Sequence, residues 1–353
     1  MAHRINMTNG RASMAYAGAN GLPWHKLGTD VGSLATVEAM LSAAGMDWTV
    51  ATESVFLADG RELADARAIV RGDTRAVLGV ATKQYTPIQN AQAGEIVDAL
   101  VTGGGAHVDV AGVLDAGERC WMLAKIPGDF EVTRGDLVNP YFLLAWGHDG
   151  KHGVAGKLTP IRVVCANTLA AAGLADGRKW SDSADVYLRH KGTPVLRIEE
   201  ARRALGLAAK ATEQTAAAFR ALAGRRMTGT ETSQYIADVF PLPAATTEED
   251  ESRAIIAEML LHRDKDDAKE AARKRIEETR SIVAELIETG RGHNLPGVEG
   301  TAWGAYNAAV EYVDHVYPVT KAGALSMHRQ QSAMFGSYAT TKRRALDTAL
   351  ALV

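Results

Sequence analysis

The sequence predicts an α+β fold: an N-terminal antiparallel sheet domain with flanking helices, followed by a helical C-terminal region. Three observations predict it. The first half alternates short β-branched and aromatic runs with turn dipeptides such as Asp59-Gly60 and Gly72-Asp73. From Arg197 onward the sequence is Ala-rich and its apolar residues recur at helical spacing. Between the two lies Tyr141–Leu174, where an apolar run, a turn at Gly147–Gly150 and a second run read as a hairpin carrying unusual polar cargo.

Taken in order, residues 1–32 read as an extended N-terminal arm, residues 33–197 as the sheet domain and residues 198–353 as the helical region. Thr36 is placed to cap a short helix over Val37–Ala44 that stops at Gly45. Strands follow at Trp48–Leu57, Arg67–Arg71 and Ala76–Val80. Pro87 suits the first turn of a helix that ends at Gly103-Gly104-Gly105. Val108–Leu114 and Arg119–Ile126 form the next strand pair, turned by Asp115-Ala116-Gly117. A helix is expected to begin at Cys165 and reach Ala172. The later helices are expected at Ile198–Leu222, Thr228–Val239, Thr247–Glu288, Thr301–Val316 and Gln330–Leu352. The mixed charges of Arg263–Arg275 read as a solvated helix face with ion pairs at i,i+3 and i,i+4 spacing.

The 353 residues hold one large domain or two ordinary ones. No apolar run approaches the ~20 residues of a membrane span. The polar start, Met1–Gly10, has no signal-peptide core, which with two cysteines in apolar runs points to a bacterial cytoplasm. The formal net charge of −3 excludes a uniformly basic binder. No Gly-x-Gly-x-x-Gly opens a helix and no phosphate-binding loop is present, so neither a nucleotide fold nor a cofactor is expected.

Covalent catalysis would need Cys165, Asn167 and a hairpin histidine, His148 or His152, to converge. Cys165 follows Val163-Val164 and reads better as a small core residue. His148 and His152 sit four apart on a turn without further ligands, and read as turn histidines rather than a metal pair. Charge distribution carries a stronger signal. Lys151–Arg197 holds Lys151, Lys157, Arg162, Arg178, Lys179, Arg189, Lys191 and Arg197 against three acids, a net +5, so the remainder is net −8. Trp146, Trp180 and Tyr187 are interleaved with these cations, and Tyr85 and Trp121 precede them. Basic residues beside aromatics suit a single nucleic-acid strand, whose phosphates meet the cations while its bases stack. The competing reading is a core role for Trp121 and Trp146 and plain solvation for the loop cations.

The stretch Lys157–Leu169, K-L-T-P-I-R-V-V-C-A-N-T-L, resembles the signature of a large phage- and plasmid-borne family known only as domain of unknown function nine-three-two. Met14–Gly28, Val77–Asn90 and Gly300–His315 resemble further motifs of that family. The resemblance covers most of the chain, implies no reaction, and favours a contact role for Asn167. The strand-then-helix layout from Val77 is also similar to the phage single-strand annealing recombinases of the Red beta, RecT and Erf types. That likeness implies a homo-oligomeric ring or filament binding single-stranded DNA in a positive groove.

The expectation is therefore a phage- or plasmid-encoded protein that binds and anneals single-stranded DNA in recombination or replication, without a chemical step. Lys151, Lys157, Arg162, Arg178, Lys179, Arg189 and Lys191 would contact phosphates. Tyr85, Trp146 and Trp180 would stack on bases. Lys83 and Arg119 would extend the groove, with His148, His152 and Asn167 beside it. The C-terminal helices and the N-terminal arm would mediate self-association. The alternative is a phage protein that binds a host factor through its helical half and has no nucleic-acid activity.

Overall fold

The computed structural model describes residues 6–8, 11–17, 28–32, 36–162, 167–168, 186–188, 197–242, 265–316 and 337–353. Fourteen strands and seven α-helices lie within them. Strands β1 (Met7–Thr8) and β2 (Arg11–Ala12) pair with each other alone. Strands β3 (Met14–Tyr16) and β4 (Thr29–Asp30) join the main sheet. Helix α1 (Val37–Ala43) follows, capped as expected by the Thr36 hydroxyl, which accepts from the Ala39 N–H at 3.1 Å. Strands β5 (Val50–Phe56), β6 (Glu62–Arg71) and β7 (Val77–Thr82) form a separate antiparallel sheet.

The main sheet has nine strands. Helix α2 (Asn90–Gly104) leads into β8 (His107–Leu114), β9 (Arg119–Lys125), β10 (Phe130–Glu131), β11 (Leu137–Gly147) and β12 (Val154–Arg162). The spatial path is β13-β12-β11-β9-β8-β3-β4, where β13 is Asn167–Thr168; β14 (Val186–Leu188) also pairs with β12, and β10 with β11. Every pairing is antiparallel except β3 with β4. Local turn chemistry and two-residue alternation explain this topology, because hairpins join neighbours in sequence.

The sheet is buried on both faces. Phe142, Leu144, Trp146, Val154 and Leu158 share one face with Met40, Leu41, Ile96 and Val97 of α1 and α2. On the opposite face Val110, Trp121, Leu123, Tyr141 and Leu143 form a cluster whose described members all lie on strands. The helices α3 (Arg197–Gly224), α4 (Gly229–Val239), α5 (Lys265–Thr289), α6 (Ala302–Glu311) and α7 (Ser337–Leu350) build a third cluster. Helix α6 is buried along its whole length and ends in a π-helical turn, Tyr312–Val316. That cluster also takes in Phe130 and Val138 of the sheet and Val132 of the turn between β10 and β11, and α3 spans both cores: Ala211 packs on the first, Phe219 and Leu222 in the other. The helices thus close over one end of the sheet.

Two expectations shift. Helix α2 begins at Asn90, three residues after Pro87. Asn167-Thr168 adds a strand to β12 instead of continuing a helix from Cys165, because an edge strand offers unpaired backbone groups and Asn is a weak helix former. The rest of Cys165–Ala172, residues 247–264 of the helix expected over Thr247–Glu288 and residues 330–336 of the one expected over Gln330–Leu352 lie outside the described residues.

Candidate nucleic-acid interface

The β11–β12 hairpin organises the site residues, and its register explains their fates. Trp146 is fully buried and donates its Nε1–H to the Asn90 Oδ1 at 2.9 Å. It presents no face for base stacking. His148 is fully buried too, with its Nε2 3.0 Å from the same Oδ1 and its ring edge-on to Trp48. The Asn90 amide nitrogen donates to the Met46 and Trp48 carbonyls at 3.1 and 3.3 Å, so its oxygen can only accept. His148 therefore carries its proton on Nε2, inside the fold and away from solvent.

Arg162 departs furthest from its expected role. It is buried and forms a forked pair with Asp136, Nε–Oδ1 2.7 Å and Nη2–Oδ2 2.8 Å. Its remaining N–H groups reach the carbonyls of Arg291 and Gly292 at 3.2 and 3.1 Å. Trp303 donates to the same Asp136 Oδ2 at 2.7 Å, and the guanidinium stands over the Trp303 ring. A buried guanidinium held by these four bonds ties the sheet to the helical half and is withdrawn from any phosphate. Two stretches read separately in the sequence, K-L-T-P-I-R and T-A-W-G-A-Y-N, meet in this cluster.

The hairpin tip is docked. Asp149 Oδ1 accepts from the Lys151 and His152 N–H groups, both at 2.9 Å, and its Oδ2 lies 2.6 Å from His152 Nδ1. Burial raises the Asp149 carboxyl, but the His152 side chain and the two backbone donors outweigh it and hold the group below its ordinary value. The tip rests on β7, where a Cβ at Gly79 would collide with the Asp149 carbonyl. Tyr85 packs half-buried beside it; burial, then the Asp149 charge, pushes its hydroxyl upward and keeps it neutral. Lys151 itself is exposed.

Lys157 is 9 % exposed and lies opposite Leu143 in the register. Arg119 pairs with Asp115 at 3.1 Å, and the exposed Lys83 with Asp65 at 2.7 Å. Asn167 lies opposite Arg162 on β13. Arg178, Lys179, Trp180, Arg189 and Lys191 lie outside the described residues, as does Cys165. Their flanks are placed: β13 pairs with Ile161 and Arg162, and β14 with Val154–Gly156, so the chain between them leaves and rejoins a single strand.

A further polar group went unread in the sequence. Asp109 is buried; its Oδ2 accepts from the Tyr141 hydroxyl at 2.6 Å, and its Oδ1 stands 3.2 Å from His107 Nε2. Burial, then the Asp109 charge, pushes the Tyr141 hydroxyl upward. The signal available was a lone carboxylate in the apolar run Val108–Leu114. Among the described residues no group of three or more His, Cys, Asp or Glu side chains could hold a metal ion, and no helix is long and apolar enough to cross a membrane.

A family model described as "Domain of unknown function (DUF932)" matches residues 77–335, well over half of the chain. The chain belongs to the DUF932 family. The matched span runs from β7 through α6 and stops short of α7, and so contains both sides of the Arg162–Asp136–Trp303 cluster. The DUF932 span leaves out β1–β6, α1 and α7, although β3 and β4 belong to the main sheet, β6 pairs with β7, and α1 and α7 pack into the two cores. No curated protein and no solved structure matches the chain.

Proposed function

We propose that this protein binds single-stranded DNA beside β13 and β14, at the β12 end of the main sheet, and promotes pairing with a complementary strand. The observation that carries the reading is topological. The segment bearing Arg178, Lys179 and Trp180 starts and ends against β12, and exposed Lys151 lies at the tip of the same hairpin. Arg189 and Lys191 follow β14 directly. The charge segregation of the sequence supports the same edge. The contact set is Lys151, Arg178, Lys179, Arg189 and Lys191 for phosphates and Trp180 for a base. Lys83 lies two residues past Ala81, which packs near Gly150 of the tip, and extends the set once its surface pair with Asp65 opens. Trp146, His148 and Arg162 are left out because they are buried. Annealing needs no chemical step: neutralising phosphates lowers the repulsion between two strands, and base pairing drives the rest. Action in phage or plasmid recombination belongs to this proposal.

Fluorescence anisotropy with labelled single- and double-stranded oligonucleotides, titrated at several salt concentrations, tests it. Tight single-strand binding that weakens log-linearly with salt is expected. Lys179→Glu with Arg189→Glu is expected to abolish it, and each single Ala substitution to lower the salt slope by roughly 0.7. No binding at low salt sinks the proposal and favours a protein partner engaged through the helical half.

A further inference from the structure

Among the described residues, the outer edge of β5 has no strand beside it. In the small sheet β5 has only β6 beside it. The Val50 N–H donates to Gln89 Oε1 and the Val50 carbonyl accepts from Gln89 Nε2, both at 2.9 Å. Both backbone groups of Val50 therefore point away from β6. The Thr49 carbonyl, one residue earlier, accepts from Gly72 on the β6 side, as the alternation of an antiparallel ladder requires. By the same alternation the outward groups beyond Val50 belong to Thr52, Ser54 and Phe56. The Gln89 amide imitates one rung of a neighbouring strand and stops there. Thr52 and Ser54 are exposed, and the end of the strand bears Phe56 and Leu57, 60 % and 39 % exposed.

We propose that β5 pairs antiparallel with β5 of a second copy of this chain across a two-fold axis at Ser54. An open edge of this kind fits an extended strand, because only a strand supplies donors and acceptors at the matching repeat. The edge selects its own copy by register. Centring the axis on Glu53 would set Glu53 against Glu53, a like-charge pair. Centring it on Thr52 would need the Val50 rung that Gln89 occupies. Centring it on Ser54 sets Thr52 against Phe56 of the second copy, an aromatic on a β-branched residue, and Glu53 against Val55. Glu53 meanwhile keeps its Arg75 partner at 2.7 Å. The pairing is isologous, so it closes at two copies.

Sedimentation velocity on the full chain over a range of concentrations tests this. A dimer is expected, and Ser54→Pro is expected to weaken it by on the order of tenfold or more, since the proline removes an outward N–H and leaves the β5–β6 ladder intact. The proline also removes the Ser54 hydroxyl, which donates to Glu62 Oε1 at 2.7 Å, so Ser54→Ala is the control: it loses that bond, keeps the outward N–H and should dimerise as tightly as the natural chain. Ser54→Cys provides the second readout: a short bismaleimide should cross-link it into covalent dimers, while Arg273→Cys on α5 should dimerise without being cross-linked. A natural chain that is monomeric at every concentration overturns the proposal. So does a dimer that Ser54→Pro leaves equally tight, or equal cross-linking by the two cysteine variants. Amide shifts at Thr52 and Ser54 on adding an unrelated extended peptide to a monomeric chain would assign the edge to a peptide and overturn it too.

Discussion

Arg162 shows how one side chain changes meaning when its neighbours are known. As a cation in a basic segment it resembles a phosphate ligand; with Asp136, Trp303 and two carbonyls around it, it is a structural tie. Arg162→Ala leaves the buried Asp136 without its cation, and is expected to cost about 3–5 kcal/mol in urea unfolding. Nucleic-acid affinity of the folded fraction should not change. Unaltered stability with lost affinity would restore Arg162 to the interface. Asp149 makes a pH-dependent contribution at the same scale. Its folded pKa lies below that of a free aspartate, so its stabilisation is full above the free value and is lost as pH falls through the lower, folded one. Asp149→Asn should remove this part of the acid transition, read as thermal midpoint against pH between about 5 and 2.

Among elements, the β11–β12 hairpin and β7 depend on each other through bare backbone. Gly79→Ala drives a methyl into the Asp149 carbonyl; β7 cannot yield without breaking its ladder with β6, and the tip cannot without loosening the bonds of Asp149 to Lys151 and His152. The expected cost is about 1–3 kcal/mol, with a change in tryptophan fluorescence as Trp48 and Trp146 repack beside His148. Gly60 is a contrasting control. Its φ is +85° but a Cβ there meets nothing within 4 Å, so Gly60→Ala should cost only about 1 kcal/mol of backbone strain. Equal losses at the two sites would show that the tip is not held by β7.

For the whole molecule, the helical half has its own buried charge. Lys342 of α7 is fully buried with its Nζ 2.9 Å from Asp314 Oδ1 on the π-helical turn. Burial pulls the ammonium below its ordinary value, and Asp314 opposes that pull. Lys342→Ala removes this cation from a buried carboxylate, with an expected loss of about 3–5 kcal/mol, whereas Lys342→Met with Asp314→Leu should recover most of it. Calorimetry on the three proteins decides the point, because a pair of no consequence would make the single variant as stable as the double. Since α3 packs into both cores, the loss should appear as one shared transition rather than a separate melting of the helices.

Much of the fold was legible because its signals are local. Thr36 and Thr228 cap helices in the structure, and the turns at Asp59-Gly60 and Asp115-Ala116-Gly117 join the strands expected on either side. Membership of DUF932 was likewise readable from motifs. Burial was not. Period-two alternation gives two faces but not which is covered, and this sheet is covered on both, so Trp146, His148 and Lys157 lie inside a segment whose sequence suggests surface charge. The partners that redefine Arg162 lie 26 and 141 residues away at Asp136 and Trp303, and those that define Asp109 include Tyr141 on a strand not adjacent to its own. A sequence determines which groups can be charged or hydrogen-bonded. Long-range packing decides which of them still face water, since only the folded chain fixes the distances on which desolvation and pairing depend.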